Sequence, residues 1–147
     1  YVKKNLKTKI EKSVRYLLDE EEKFGIKKYH TYLNFSKKVY KIRDNVRKNI
    51  LKLKENGTKI IGYGSPAKAT TALNFFGISK EIDCIVEDNK LKHGKFLPGM
   101  KIPIVSKSNI KNKPDYALVL AWNFINEIKR KNIDLAHKFI SIKDLEN

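Results

Sequence analysis

The sequence predicts an α/β domain: a mostly parallel sheet in three layers, entered through two helices. Three observations predict it. From residue 58 onward, short apolar runs rich in β-branched residues alternate with helical stretches, as strands and crossover helices do. One run, Asp115-Tyr-Ala-Leu-Val-Leu-Ala121, is nearly continuous in apolar residues, as expected of a strand covered on both faces. Before residue 58 the apolar periodicity is helical only. The chain therefore divides into a helical segment, 1–57, and a Rossmann-like α/β domain, 58–147.

The elements follow in order. Tyr1 and Val2 read as the end of a strand from an upstream domain. Residues 9–24 read as a helix, because Ile10, Val14, Leu17 and Leu18 recur at helical spacing; Gly25 stops it. Residues 30–55 form a longer helix. There Phe35, Val39, Ile42, Val46, Ile50 and Leu53 alternate at spacings of four and three along one stripe. Asn56-Gly57 is a C-cap signal, since glycine adopts the left-handed conformation without a Cβ penalty. A first strand at 58–61 leads through Gly62, Tyr63 and Gly64 into a helix at 66–76, closed by Gly77. Pro66 suits a first helical position, where its missing N–H costs nothing. A strand at 82–86 ends in Glu87-Asp88-Asn89. A turn-rich loop follows, then an extended piece at 101–104 and a short helical turn at 108–113. The strand at 115–121 leads into a helix at 123–131, which Asn123 is expected to cap. The last strand is expected at 138–142.

Composition narrows the classes. The chain has 147 residues, 41% of them hydrophobic, which suffices for a core. No apolar run approaches the ~20 residues a membrane helix needs, and the start lacks the apolar stretch of a signal peptide. It also lacks an initiator Met, so we expect a piece of a longer protein. The single cysteine, Cys84, cannot form an internal disulfide or a cysteine metal site, and we expect a cytoplasmic setting. The formal net charge of +16 admits a nucleic-acid partner. Yet the basic residues are almost all lysines spread along the chain, whereas base readout and bidentate phosphate contacts favour arginine. A solvated lysine-rich surface is the expected reading, with neither nucleic acid nor membrane as partner.

The chemistry-bearing motif is Gly62-Tyr63-Gly64-Ser65-Pro66-Ala67, of the form G-x-G-x-x-A, between a strand and a helix. The first N–H groups of such a helix have no intrahelical partner and face an anion favourably. Lys68 adds a point charge one step further on. Glu87 or Asp88 lies about 20 residues beyond the turn, where a ribose-binding acid is expected. Ligands of open parallel sheets bind beyond the carboxyl ends of the strands. Those ends carry the glycine turn, Glu87-Asp88-Asn89, and Trp122-Asn123. The residues alone leave open a phosphate-bearing ligand, a nicotinamide cofactor, coenzyme A, or a turn that merely reverses the chain. His93, flanked by glycine near these ends, is the one histidine considered for a role. No Ser-His-Asp arrangement and no catalytic carboxylate pair can be read.

The stretch Gly-Tyr-Gly-Ser-Pro-Ala-Lys-Ala-Thr-Thr-Ala-Leu-Asn-Phe-Phe-Gly-Ile (62–78) resembles the C-terminal domain of S-adenosylmethionine-dependent C-methyltransferases that act on nucleotide-linked keto-deoxysugars. Three further blocks agree in order: Val86-Glu-Asp-Asn-Lys90, Lys92-His-Gly-Lys-Phe-Leu-Pro-Gly-Met-Lys-Ile-Pro-Ile104, and Pro114-Asp-Tyr-Ala-Leu-Val-Leu-Ala-Trp-Asn-Phe124 with Glu127-Ile128. The helical region, including Glu20-Glu-Glu-Lys-Phe-Gly25, resembles the segment before that domain. The resemblance implies a three-part parent: a zinc-binding module, a central methyltransferase domain holding S-adenosylmethionine, and this Rossmann-like domain. In the parent, an enolate formed beside a keto group attacks the donor methyl. The nucleotide-sugar, such as a dTDP-linked keto sugar, lies between the central and C-terminal domains. Nothing here matches the zinc cysteines, the donor-binding glycine motif or the catalytic segment. This chain alone is therefore expected to be inactive, to hold no cofactor and to have the upstream domain as its partner. The expected substrate-binding residues are Gly62, Tyr63, Gly64, Ser65, Pro66, Ala67 and Lys68 around the diphosphate, Glu87, Asp88 and Asn89 at the next strand end, and Trp122 and Asn123 at the third. Glu87-Asp88-Asn89 departs from the single Asp the family leads one to expect.

Overall fold

The computed structural model describes residues 10–147. The expected strand end at Tyr1 and Val2, and the start of the first helix at Lys9, lie outside the described residues. The chain forms two compact units, divided between Tyr40 and Lys41.

The first unit holds α1 (Lys12–Phe24) and the opening turns of α2 (Tyr29–Glu55). Gly25 ends α1 as its sequence position suggests. With φ of 79° it is left-handed, and its N–H reaches the carbonyls of Glu21 and Glu22. Thr31 Oγ1 donates to the Gly25 carbonyl at 2.9 Å and so fixes the entry to α2. Val14, Leu17 and Leu18 on α1 and Phe35 on α2 are exposed.

The second unit is the α/β domain together with the rest of α2. Its strands are β1 (Ile60–Tyr63), β2 (Ile85–Val86), β3 (Ile104–Val105), β4 (Tyr116–Val119) and β5 (Lys138–Ile140). They form one five-stranded sheet in the order β3-β2-β1-β4-β5, and every pairing is parallel. The two crossover helices are α3 (Ala67–Phe76) and α4 (Ile125–Lys131). This is an α/β Rossmann-like fold. The chain winds outward from β1 through β2 to β3, then returns to the other side of β1 as β4. The order therefore reverses between β1 and β4, the place where such sheets open a crevice beyond their carboxyl ends.

Period-two alternation sorts β1 between two cores. Ile60 packs on one face with Leu73, Ile85, Leu118, and Val46 and Ile50 of α2. Ile61 and Tyr63 pack on the other with Val86, Ala117, Leu135 and Ala136. All four β1 residues are buried, as a central parallel strand requires. The α2 stripe is thus part of the scaffold: Val46 and Ile50 are fully buried, with Ile42 and Leu53 packed beside them. Two asparagines of α2 also hold the end of the chain. Asn45 Nδ2 donates to the Glu146 carbonyl at 2.8 Å, and Asn49 Nδ2 donates to those of Leu145 and Asn147 at 3.0 and 2.8 Å.

Several expected boundaries shift, each for a local reason. β1 runs on through Tyr63, so Gly62 is a strand residue and not part of the turn. A Cβ there would meet Ile85 Cδ1, and Leu120 Cδ1 at 3.1 Å, so glycine is required by packing. The turn is made at Gly64, whose φ is +83°. Pro66 is the N-cap of α3, with ψ of 162°, and not its first helical residue. The strand expected at 82–86 keeps only Ile85–Val86 in the ladder. Of the extended piece expected at 101–104, only Ile104 joins the parallel ladder; Pro103 bridges antiparallel to Phe96, and Lys101 takes a positive φ of 56°. The helical turn expected at 108–113 is a 3-10 turn at Lys107–Asn109. β5 stops at Ile140 because Ser141 and Asp144 form a capping box that opens a 3-10 turn, Ile142–Leu145. Among the described residues no helix is long and apolar enough to cross a membrane.

Candidate substrate cleft

A cleft of about 330 Å³ opens at the reversal point, beyond the carboxyl ends of β1, β2 and β4. Tyr63, Gly64, Ser65 and Pro66 form its wall from β1, and Glu87 and Asp88 its wall from β2. Ala121 and Phe124 follow β4, and Glu127, Ile128, Lys131 and Asn132 come from α4 and its end. Three strand ends and one helix therefore converge; the alternation of elements implies the strand ends but not the helix.

The two acids of the β2 end have different roles. Glu87 turns back onto the glycine turn. Its Oε2 accepts from the Ser65 N–H at 2.8 Å, from Ser65 Oγ at 2.5 Å and from Lys92 Nζ at 3.2 Å. Its Oε1 accepts from the Asn89 N–H at 3.1 Å. Burial pushes this carboxyl up, but hydrogen bonds from Ser65, the Asn89 and Ser65 N–H groups and Lys92 outweigh it, holding the pKa down at about 2. Lys92 also donates to the Ser65 carbonyl at 3.0 Å, which clamps β2's end to the turn.

Asp88 is bound by the phenol of Tyr63, whose OH lies 2.9 and 3.0 Å from its two oxygens. That OH in turn accepts from Asn132 Nδ2 at 3.0 Å. Burial first, then the hydrogen bond to Asp88 and its charge, push the Tyr63 pKa up to about 12. The phenol is neutral and points the carboxylate. Asp88 itself is exposed, with remaining lone pairs on the cleft side of the sheet end. Of the two acids, Asp88 is the one with acceptor capacity to spare.

The remaining expected residues lie around the rim or outside it. Asn89 uses its Oδ1 to cap the 3-10 turn Lys90–Lys92, accepting from the Leu91 N–H at 3.0 Å. Ala67 and Lys68 open α3; Lys68 Nζ sits 4.3 Å from the centre of the Trp122 ring, a cation–π contact. Trp122 lines a neighbouring cleft of about 260 Å³ with Ala72, Phe76 and Ile142. Asn123 is exposed in a 3-10 turn, Trp122–Phe124, and does not cap α4; Phe124 holds the N-cap position. His93 Nε2 lies 2.6 Å from the Glu87 carbonyl and so braces the loop behind Glu87. Lys92, Lys131 and Asn132 were not singled out from the sequence. Lys92 and Glu127 stood in the matched blocks without a marked role. Asn132 carries no local signal, because it meets Tyr63 only through the fold.

At the glycine turn the Ser65 N–H, a donor that a phosphate there would use, is bound to Glu87. Among the described residues no group of three His, Cys, Asp or Glu side chains stands close enough to hold a metal ion.

Fold and cleft together define an α/β domain of Rossmann-like form with a cleft at the carboxyl ends of its strands. The profile of the C-methyltransferase C-terminal domain matches residues 1–141. The chain is also 35% identical over 118 residues to the C-methyltransferase NovU of Streptomyces niveus; the match covers 79% of this chain and 28% of that protein. The chain belongs to the C-methyltransferase C-terminal domain family. It spans about 28% of the length of the relative it matches.

Proposed function

We propose that this domain holds the substrate for an S-adenosylmethionine-dependent C-methyltransferase that acts on a nucleotide-linked keto-deoxysugar. The methyl donor and the acid–base residues belong, on this reading, to an upstream domain of the same protein, and a zinc module precedes that. The observation that carries the proposal is the cleft at the β1/β4 reversal point, which presents a rigidly held acceptor, Asp88, beside the glycine turn. Asp88, aimed by Tyr63 and Asn132, accepts from a neutral donor on the ligand, such as a sugar hydroxyl or a base N–H. The outer side of the turn, at Ala67 and Lys68, faces the diphosphate, and Trp122 and Asn123 border it. Phe124 and Ile128 supply an apolar wall. The full-length protein tests this. Asp88→Asn keeps an acceptor for Tyr63 but removes the charge. It should raise KM for the nucleotide-sugar roughly tenfold or more, the worth of one hydrogen bond to a charged group, with kcat little changed. An unchanged KM would remove Asp88 from the substrate's contacts.

A further inference from the structure

The turn between β1 and α3 has the form that grips a phosphate in dinucleotide-binding proteins, yet its grip is already in use. Glu87 places one carboxylate oxygen at the meeting point of a backbone N–H, a hydroxyl and an ammonium group, at 2.8, 2.5 and 3.2 Å. This is the donor set a phosphate oxygen would take. Ser65 is 9% exposed and the Glu87 side chain 12%, so the arrangement is enclosed and cannot relax freely into water. Its second oxygen is fixed by the Asn89 N–H, and the loop behind it is braced by His93. Tyr63, whose hydroxyl accepts from Asn132, occupies Asp88 separately, so the neighbouring acid does not compete for the same donors.

We propose that Glu87 is an internal anion that fills the inner half of the glycine turn and closes it to phosphate. The motif is kept as a piece of architecture, and the domain thereby rejects the pyrophosphate of redox dinucleotides that the G-x-G-x-x-A pattern would otherwise admit. A second anion at this point would meet a fixed like charge in contact with it and would find the Ser65 N–H taken. Glu87 is thus a specificity-determining residue through exclusion.

The test uses the 147-residue chain with inorganic phosphate and formate as probes. Glu87→Ala should bind phosphate at least tenfold more tightly than the wild type by ³¹P NMR titration. Formate, which replaces the lost carboxylate, should raise the Tm of Glu87→Ala and leave that of the wild type unchanged. Should Glu87→Ala unfold, recovery of its native circular dichroism in formate or phosphate is the same result read another way. Glu87→Gln removes the charge but keeps the volume, and should gain less phosphate affinity than Glu87→Ala. Equal phosphate binding by wild type and both variants, or no response of any variant to either anion, overturns the proposal. The substrate reading fails separately: a chain that ignores dTDP while Glu87→Ala gains phosphate leaves this inference standing and the nucleotide-sugar assignment without support.

Discussion

At the scale of single residues, the two glycines of the motif serve different physical needs. Gly62 is required by close packing, since an added methyl would meet Ile85 and Leu120. Gly64 is required by its left-handed φ of +83°, with ordinary contact to Ala121 at 3.4 Å. Gly62→Ala should therefore cost about 1–3 kcal/mol by overpacking. Gly64→Ala should cost about 1–2 kcal/mol by backbone strain. Urea melts of the two variants check both. Glu87 supplies a pH dependence. Its folded pKa, about 2, lies below the ordinary 4.5. It therefore adds stability that is fully present above pH 4.5 and is lost as pH falls from there toward 2. Wild-type stability should decline across that window, and Glu87→Gln should show a flatter acid limb in the same melts. A variant with an unaltered acid limb would remove the carboxylate from that role. The residue-level pattern shows what sequence alone leaves out. The glycines are visible in it, but their separate reasons are not, because neither Ile85 nor Leu120 is near Gly62 in the chain.

At the scale of elements, the sheet was the most legible part. Alternation of runs and helices is local, and the buried β4 announces itself through consecutive apolar residues. Ends were less legible, because short-range caps and turns that apolar periodicity does not carry decide them. β5 stops where Asp144 caps back onto Ser141, and Asn123 loses its expected cap role to a 3-10 turn that carries the chain past Trp122. Asn74 in an apolar helix is explained only by the fold: its Nδ2 donates to the Pro98 carbonyl at 3.1 Å and to that of Thr70, tying α3 to the 98–100 loop. The C-terminal 3-10 turn rests likewise on α2. Asn49→Ala removes two hydrogen bonds to it and should cost about 1–2 kcal/mol. Amide hydrogen exchange over residues 142–147 should speed up in this variant while exchange in β1 and β4 stays slow; uniform change would point to global loosening instead.

At the scale of the whole molecule, the charge of +16 does not translate into a basic binding face at the cleft. There Lys92 pairs with Glu87 and Lys131 with Glu127 at 2.6 Å, and Asp88 adds a further carboxylate to the walls. The candidate site was legible to the extent that strand ends are: Tyr63 to Pro66, Glu87 and Asp88 come together as the alternation implies. The α4 contribution, Lys131 and Asn132 above all, was not, since its register against β1 is set by packing of Ile128 and Leu135 on the sheet. The central claim is that a nucleotide-sugar binds at the β1/β4 reversal point. Titrating the ¹⁵N-labelled chain with dTDP and following its amide resonances tests it most directly. The account predicts saturable shifts at Gly64, Ser65, Lys68, Asp88 and Ala121–Phe124, and no such response to NAD. Shifts confined to other faces, such as Lys107–Lys113, or an equal response to NAD at the glycine turn, would contradict it.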